Sequence, residues 1–531
     1  MLPALRVRIL LHRTAHFKQS PGPRFPPAII LWDNRPSPEV KDGPEKLAED
    51  FLTHHEATGR YLRDRITRLA ELATDADPAT AKAAAGAIFG SLVEPLADSF
   101  EPAAARLYER LFAQIIQFCR RTPRGADLDR ALSKFGLESE EDLLARVSSL
   151  RHPSGFSPGR VAREIERVII FSRVTLGADV AITSVLIERV KQMFPRAGLV
   201  LVGGRKASEL FGGDARLSFR ELDYERAGAT LDRLLSWLDV LSVVEELSEG
   251  LDAREYLILD PDSRLTQLGL LPVSPSDNYL LFPSREYKAA TSLSLGQLAS
   301  DWLDEVFGEE SPTLARLSLY PSDLGRAESV ARRMRSGSAR PVVAINFGVG
   351  ENPLKRVSDE FERQLVGGLI ESGALVILDK GAGRDEARRA DMVIAHAASI
   401  ARAGLPIRVT EVDEAGLSDL LASDWEGADL LVWSGRIGLL AALIGQSDLY
   451  IGYDSAGQHI AAALSVPCID VFAGYTSKRM LDRWKPATGT WTRVIPVDAP
   501  EARADSRIIL SEVLTSAREM IRINRRGFRP L

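Results

Sequence analysis

The sequence predicts an α/β protein in which two parallel-sheet domains follow an all-helical domain. Apolar residues recur at helical spacing before residue 150, and short apolar runs alternate with helices after residue 165. Arg151–Arg160, between these regions, is rich in Pro and Gly and predicts a linker. Strands separated by helices favour right-handed crossovers, and therefore parallel sheets covered on both faces. The strands form two series divided near Ser311–Ser338, which indicates two facing Rossmann-like domains.

Composition excludes several classes of protein. The chain has 531 residues, of which 45% are hydrophobic and 26% charged, as in ordinary globular proteins. This length exceeds what one core usually serves, and a net charge of −6 gives no overall footprint for nucleic acid. Two cysteines, Cys119 and Cys468, cannot form a disulfide framework, and the apolar stretches are too short to span a membrane. We therefore predict a cytoplasmic protein that does not bind nucleic acid.

The domain boundaries follow from these changes in pattern. Residues 1–44 are predicted to form a basic, proline-rich tail and linker, and residues 45–155 a helical N-terminal domain. Residues 160–325 and 335–500 are predicted to form the two Rossmann-like domains. Residues 501–531 are predicted to form a C-terminal helix with a basic tail.

Two features support the helical assignment of the N-terminal domain. Apolar residues recur at steps of four, three and three at Leu62, Ile66, Leu69 and Leu72. Ser139–Asp142, directly before two leucines, has the pattern of a capping box at a helix start.

Short apolar runs mark the strands of the later domains. The predicted strands are Val168–Phe171, Leu199–Val202, Tyr256–Asp260, Val342–Asn346, Ala374–Leu378, Ile407–Val409, Leu430–Trp433, Leu449–Ile451 and Cys468–Phe472. Ligands of such sheets bind at the carboxyl ends of the strands. The loops that follow these strands are therefore the places to look for a site.

These loops disfavour two common enzyme classes. The loops Asn346–Pro353 and Asp379–Glu386 each carry two glycines but lack the third glycine of a dinucleotide-binding fingerprint. The sequence also has no P-loop motif. An oxidoreductase and a P-loop NTPase are therefore disfavoured, although glycine-rich loops still allow backbone N–H groups to approach a phosphate.

Three loops carry side chains suited to chemistry. Asp179 stands between a strand and a helix, where it could accept a proton from a bound hydroxyl or simply cap the helix. Lys355 could hold a diphosphate or be solvated. Asp454 and Ser455 suit a helix N-cap, and His459 by itself is more often a structural residue than a ligand.

Together these loops resemble glycosyltransferase family nine, the heptosyltransferase-like enzymes of the GT-B fold. The resemblance covers roughly residues 167–500 and is most specific over Tyr450–Phe472. Its motifs are Leu176-Gly-Ala-Asp179, the loop of Lys355, Asp454-Ser-Ala-Gly-Gln-His459, Phe472-Ala-Gly474 and Trp484-Lys-Pro486.

The resemblance implies inverting transfer of a sugar from a nucleotide-diphosphate sugar to a hydroxyl of a glycan or glycolipid. No metal or cofactor would be required. Asp179 would be the general base on the first, acceptor-binding domain, and Lys355 would bind the donor diphosphate on the second domain. The further donor-binding residues would be Asn346, Ser434, Arg436, Asp454, Ser455, Ala456, Gly457 and His459. The C-terminal helix would cross back to the first domain.

Other interpretations stay open at this point. Ala178 makes the first motif one residue longer than the Leu-Gly-Asp of the family, which also suits a catalytically degenerate adaptor that works through its helical domain. A sugar-nucleotide epimerase has the same architecture. The C-terminal arginines suit peripheral contact with an anionic membrane or a solvated tail. No protein partner of the helical domain can be named.

Overall fold

The computed structural model describes most of the chain. The described residues are 43–151, 165–222, 224, 228–336, 338–350, 352–402, 407–487, 491–497 and 506–525. The predicted tail up to residue 42, most of the linker Arg151–Arg160, and the C-terminal Arg526 and Arg529 lie outside these residues.

Every regular element between residues 43 and 151 is helical, as predicted. The α-helices are α1 Pro44–Thr58, α2 Arg63–Ala73, α3 Pro78–Gly86, α4 Glu94–Asp98, α5 Pro102–Cys119, α6 Ala126–Lys134 and α7 Glu140–Leu150. A π-helical turn, Ala87–Val93, joins α3 to α4, and a 3₁₀ turn, Pro123–Gly125, precedes α6. The predicted capping box is present, because Ser139 and Asp142 exchange hydrogen bonds at the start of α7. We call these helices the helical layer.

Five strands lie within the described residues of the first half of the α/β region. They are β1 Arg167–Phe171, β2 Gly198–Gly203, β3 Leu217–Glu221, β4 Tyr256–Asp260 and β5 Tyr279–Leu281. The longer helices between and after them are α8 Ser184–Met193, α9 Arg205–Phe211, α10 Thr230–Leu247 and α11 Leu295–Phe307. Short helical turns are Leu176–Ala178, the π-helical Asp179–Thr183, and the 3₁₀ turns Arg264–Thr266 and Ser276–Asn278.

In the second half, the part of the chain that the structure describes contains seven strands. They are β6 Val342–Asn346, β7 Leu375–Asp379, β8 Val409–Asp413, β9 Leu430–Ser434, β10 Leu449–Tyr453, β11 Cys468–Ala473 and β12 Thr492–Val497. The helices are α12 Pro321–Met334, α13 Asp359–Glu371, α14 Arg384–Arg402, α15 Gly416–Ala422, α16 Ile437–Gly445, α17 Ala456–Ala463, α18 Lys478–Trp484 and α19 Ser506–Arg525, with a 3₁₀ turn at Pro353–Lys355. The strand predicted at Ile407–Val409 begins only at Val409.

Both sheets are parallel, which confirms the predicted α/β class with two parallel-sheet regions. The strand orders are β3-β2-β1-β4-β5 and β12-β11-β10-β6-β7-β9-β8. The order reverses between β1 and β4 in the first sheet and between β6 and β10 in the second, where β8 also lies outside β9 at the sheet edge. Loops diverge at such a switch point and leave a crevice in which ligands bind.

The helical layer shares a hydrophobic core with the first half. Along β1, Ile169 and Phe171 face the helical layer, where they join Leu111 in one cluster of buried side chains. The alternate residues Val168 and Ile170 face the other way, into a core that continues between the two halves. A strand buried on both faces must be apolar at every position, which explains the continuous run that predicted β1.

The C-terminal helix α19 packs on the second half. Its Val513 is buried in the core that covers the outer face of the second sheet, together with Val343 of β6. Its predicted crossing to the first half stays a prediction. No helix among the described residues is both long and apolar enough to traverse a lipid bilayer.

Candidate active site

The two switch points place three of the candidate residues. The loop after β1 carries Asp179 at the first switch point. The loops after β6 and β10 carry Lys355 and Asp454 at the second switch point. These strands are neighbours in their sheets although their loops are distant in sequence, so the topology alone brings Lys355 and Asp454 together.

Asp179 is buried and fully engaged by neutral donors. One carboxylate oxygen accepts a hydrogen bond from the Ser172 hydroxyl at 2.6 Å. The other accepts from the Arg173 backbone N–H at 2.7 Å and the Thr183 hydroxyl at 2.9 Å. Burial raises the pKa of Asp179, and these hydrogen bonds oppose but do not cancel that effect. The carboxylate therefore holds a proton more readily than an exposed aspartate does.

Ala178, the extra residue of the first motif, directly precedes a π-helical turn. The helix begins at Leu176, so Asp179 is not its N-cap, and residues Asp179–Thr183 form π-helix before α8 continues. A π turn contains about one residue more than an α turn, so it can absorb a single extra residue without displacing the helix that follows. Asp179 thus remains at the edge of the sheet, where it lines a cavity of about 740 Å³.

Lys355 and Asp454 form an ion pair across the second switch point. The Lys355 Nζ lies 2.6 Å from one Asp454 carboxylate oxygen, and the Gln458 side chain donates to the other at 2.7 Å. Burial alone would lower the pKa of Lys355, but the charge and hydrogen bond of Asp454 outweigh burial and raise it. Lys355 therefore carries a positive charge within the protein, where a phosphate could reach it.

The N-terminus of α17 lies directly beside this ion pair. Ser455 occupies the N-cap position, and its buried hydroxyl lies near the Tyr450 hydroxyl and makes no cap hydrogen bond. Gly457 follows in the first turn, where an added Cβ would lie 2.0 Å from the Tyr450 hydroxyl oxygen. A glycine is therefore required for α17 to pack this closely on β10. Free backbone N–H groups at a helix start are suited to binding an anion.

His459 is a buried, neutral residue of α17. Burial lowers its pKa to about 4, and its ring lies 6.1 Å from the Trp484 ring, centroid to centroid. Among the described residues no group of three or more His, Cys, Asp or Glu side chains could hold a metal ion. This placement agrees with the structural interpretation of His459.

The motifs Leu176–Asp179 and Asp454–His459 touch each other across the cleft. A Cβ added to Gly177 would lie 3.3 Å from the Ala456 Cα and 3.4 Å from the His459 Cδ2. The turn before Asp179 therefore packs against the first turns of α17. Two sequence motifs from different halves form one continuous site, although nothing in their spacing required it.

Arg436 belongs to the cavity of Asp179. Its guanidinium pairs with Asp323 of α12 at 3.0 Å and with Glu414 at 2.9 Å, and the hydrogen bonds to these carboxylates raise its pKa. It lines the same cavity as Asp179 from the opposite half. Both carboxylate partners were missed by sequence reasoning, because Asp323 lies in the helix α12 and Glu414 follows β8, a strand whose loop was not singled out.

Asn346 and Ser434 lie toward the neighbouring strands. The Asn346 side chain donates to Asp379 at the end of β7 and accepts from the Gly348 N–H at 2.8 Å, so it shapes the loop after β6. Burial raises the pKa of Asp379 to about 6. Ser434 is exposed and lines a different cavity, of about 630 Å³, with Lys380. The structure thus brings Lys355, Asp454 and the start of α17 together, whereas Asn346 and Ser434 contact other partners.

Asp470 is a buried acid of β11 that sequence reasoning passed over. It pairs in register with Gly452 of β10, and neither carboxylate oxygen has a hydrogen-bond partner among the described residues. Burial, with the charge of Asp454, raises its pKa well above the usual range, which favours a neutral carboxylic acid. The available signal was a charged residue inside the apolar run of a predicted strand.

Comparison with known proteins gives a likeness of fold. No family model and no curated protein matches the sequence. The glycosyl transferase family 9 structure from Veillonella parvula is 11% identical, covers 67% of this chain and 97% of that chain, and has a TM-score of 0.46. E. coli ADP-heptose lps heptosyltransferase II is 14% identical, covers 67% of this chain and 98% of that chain, and has a TM-score of 0.44. E. coli heptosyltransferase WaaC with ADP is 14% identical, covers 67% of this chain and 99% of that chain, and has a TM-score of 0.40. The chain is thus similar to solved structures of a family 9 glycosyl transferase and of two heptosyltransferases, and this similarity assigns no role to any residue.

Proposed function

We propose that this chain is a glycosyltransferase of the family-nine kind, which moves a sugar from a nucleotide-diphosphate sugar to an acceptor hydroxyl. The observation that carries the proposal is the contact of Gly177 with Ala456, through which the turn of Asp179 meets the helix start beside Lys355. A candidate base and a candidate phosphate site from different halves thereby line one cleft.

In the proposed reaction the acceptor oxygen forms a bond to the anomeric carbon of the donor as the bond from that carbon to the diphosphate breaks. The acceptor proton passes to Asp179, which burial has already prepared to hold a proton. The nucleoside diphosphate leaves with the bonding electrons, and Lys355 with the N–H groups of α17 offsets its charge. Attack from the side opposite the diphosphate gives inversion.

We propose no metal and no cofactor for this chemistry, because Lys355 and the helix start supply positive charge where the diphosphate would bind. The acceptor would be a glycan or glycolipid that approaches the first half. In the same proposal the protein acts in the cytoplasm, in peripheral contact with a membrane surface.

The test begins with binding of nucleotides. ADP, UDP, GDP and their sugars are added to the full chain, and the unfolding temperature is measured. A ligand at one hundred times its dissociation constant should add about 2.7 kcal/mol of stability. The absence of any shift would contradict the proposal and favour the adaptor.

Product analysis then separates the remaining alternatives. Release of a nucleoside diphosphate with an inverted sugar linkage supports the transferase, whereas an isomerised nucleotide sugar supports an epimerase. Turnover that survives EDTA supports the metal-free chemistry, and turnover restored only by added metal contradicts it.

A further inference from the structure

The segment that carries Lys355 runs from β6 to α13 and is attached to β10. Val357, two residues after Lys355, donates its backbone N–H to the Tyr453 hydroxyl at 3.3 Å. Tyr453 is the last residue of β10 and directly precedes Asp454, and its ring packs on the Phe347 ring with centroids 5.7 Å apart. A second set of contacts therefore joins the two sides of the ion pair between Lys355 and Asp454.

A buried carboxylate on α13 connects the two ends of this segment. Glu362 is 1% exposed, and one of its oxygens accepts a hydrogen bond from the Arg356 Nε at 2.9 Å. Its other oxygen lies 3.5 Å from the Nε of Arg389 on α14, and the Arg389 Nη2 donates to the Phe347 carbonyl oxygen at 3.3 Å. Arg356 directly follows Lys355, and Phe347 directly follows β6. One carboxylate therefore links the end of the segment to its beginning.

The two arginines depend on Glu362 to different degrees. Arg356 also pairs with Asp359 at 2.5 Å. Glu362, in contrast, is the one carboxylate that forms an ion pair with Arg389 in the part of the chain that the structure describes. A buried charge is costly unless it is paired. Loss of the Glu362 charge would therefore release Arg389 from its place beside the Phe347 carbonyl, whereas Arg356 would keep a partner.

We propose that Glu362 is a positioning residue of the donor site, which sets the direction of the Lys355 ammonium by holding both ends of the segment that carries it. This inference rests on the proposed function. A lysine side chain is a flexible four-carbon stem, so a defined place for its ammonium requires a backbone that is held. Binding of the diphosphate would then depend on a helix, α13, whose carboxylate does not touch the ligand.

Glu362→Gln tests the inference in the full chain. The probes are ADP, UDP or GDP, whichever the wild type binds, and the matching nucleoside, which has no phosphate for Lys355. The variant keeps the shape of the side chain but removes the charge that pairs with both arginines. The dissociation constant of the nucleoside diphosphate, measured by calorimetry, should rise about tenfold, because a charge-assisted hydrogen bond loses its alignment. Binding of the nucleoside should stay unchanged.

Two further variants serve as comparisons. Glu362→Asp keeps the charge and should recover most of the lost affinity. Glu360→Gln changes an exposed acid of the same helix, paired with Arg363, and should bind both probes as the wild type does. A lower unfolding temperature of Glu362→Gln with unchanged binding would overturn the inference, because Glu362 would then serve stability alone. Equal losses for the nucleoside and the nucleoside diphosphate would overturn it as well.

A double variant shows whether Glu362 acts through Lys355. In a Lys355→Met background, Glu362→Gln should cause no further loss of affinity for the nucleoside diphosphate. Losses that multiply would contradict the inference and indicate an effect that bypasses Lys355. A wild type that binds no nucleoside diphosphate would overturn the proposed function itself, whereas wild-type affinity in Glu362→Gln would overturn this inference alone.

Discussion

Two buried aspartates at facing sheet edges are held in opposite ways. Asp179 is 3% exposed and receives hydrogen bonds from two hydroxyls and a backbone N–H, all of them neutral. Asp454 is 5% exposed and receives a lysine ammonium. Neutral donors leave most of the free-energy cost of burying an ionised carboxylate in place, whereas a neighbouring cation offsets that cost. The first edge is therefore suited to taking up a proton, and the second to binding an anion.

The variant Asp179→Asn should have the largest effect, and it tests whether the first edge takes up the proton. If this edge serves as the base, sugar transfer should fall by about 10²–10⁴-fold, because the amide cannot accept the acceptor proton. The shift in unfolding temperature given by nucleotides should remain. The control Asp252→Asn changes an exposed aspartate of the same half and should leave transfer unchanged. Transfer at the wild-type rate in Asp179→Asn would remove Asp179 from the chemistry.

His459 tests the second edge through pH. Its pKa is about 4 in the folded protein against an ordinary 6.5, so the unfolded chain binds more protons between these values. The stability that comes from neutral His459 is full above pH 6.5 and is lost as pH falls toward 4. Relative to His459→Gln, the wild type should lose roughly 3 kcal/mol of unfolding free energy over this window, measured by denaturant titration. If the unfolding free energies of the wild type and of His459→Gln changed equally with pH, His459 would not be buried as described.

Lys355→Met separates the anion site from the proton site. Loss of one charge-assisted hydrogen bond should weaken binding of a nucleoside diphosphate about 10–100-fold, measured by calorimetry. Lys380→Met is the matched control, because Lys380 follows the neighbouring strand β7 and pairs with Asp391 and Glu411. Equal losses in both variants would indicate a general effect of charge instead of a site at Lys355.

Gly177→Ala should have the smallest effect, and it probes the contact between the two edges. The added Cβ would lie 3.3 Å from the Ala456 Cα, so the two motifs must separate by a few tenths of an ångström. We expect turnover to fall less than tenfold with little change in unfolding temperature, because precise alignment matters more to rate than to stability. Gly86→Ala, where an added Cβ meets nothing within 4 Å, should leave turnover unchanged. A change as large in the control as in Gly177→Ala would contradict the contact.

Most of the strands that the sequence predicted are central ones, although β8 lies at an edge of its sheet. The interiors of β1, β6 and β10 are buried on both faces and therefore read as continuous apolar runs. Three edge strands were missed for two reasons. The strands β3 and β12 are partly exposed and carry charged residues, and β12 contains Pro496, whereas β5 is buried but only three residues long.

The sequence indicated which loops carry the candidate residues but not which of these residues contact one another. Lys355 and Asp454 follow strands that were predicted, so their place at a sheet edge follows from the pattern. Their pairing depends on which strands are neighbours, and no local signal records that. Asp470 was passed over for a different reason, since it sits inside a predicted strand and not in a loop that follows one.

The core shared by the helical layer and the first half limits how the chain can be divided. Ile169 and Phe171 of β1 are buried in one cluster with side chains of the helical layer and of α10. A shortened chain that starts at β1 would expose this apolar face and should aggregate, even though it would retain every motif of the family. We therefore expect the helical layer, which carries none of these motifs, to be needed for the motif-bearing part of the chain to fold.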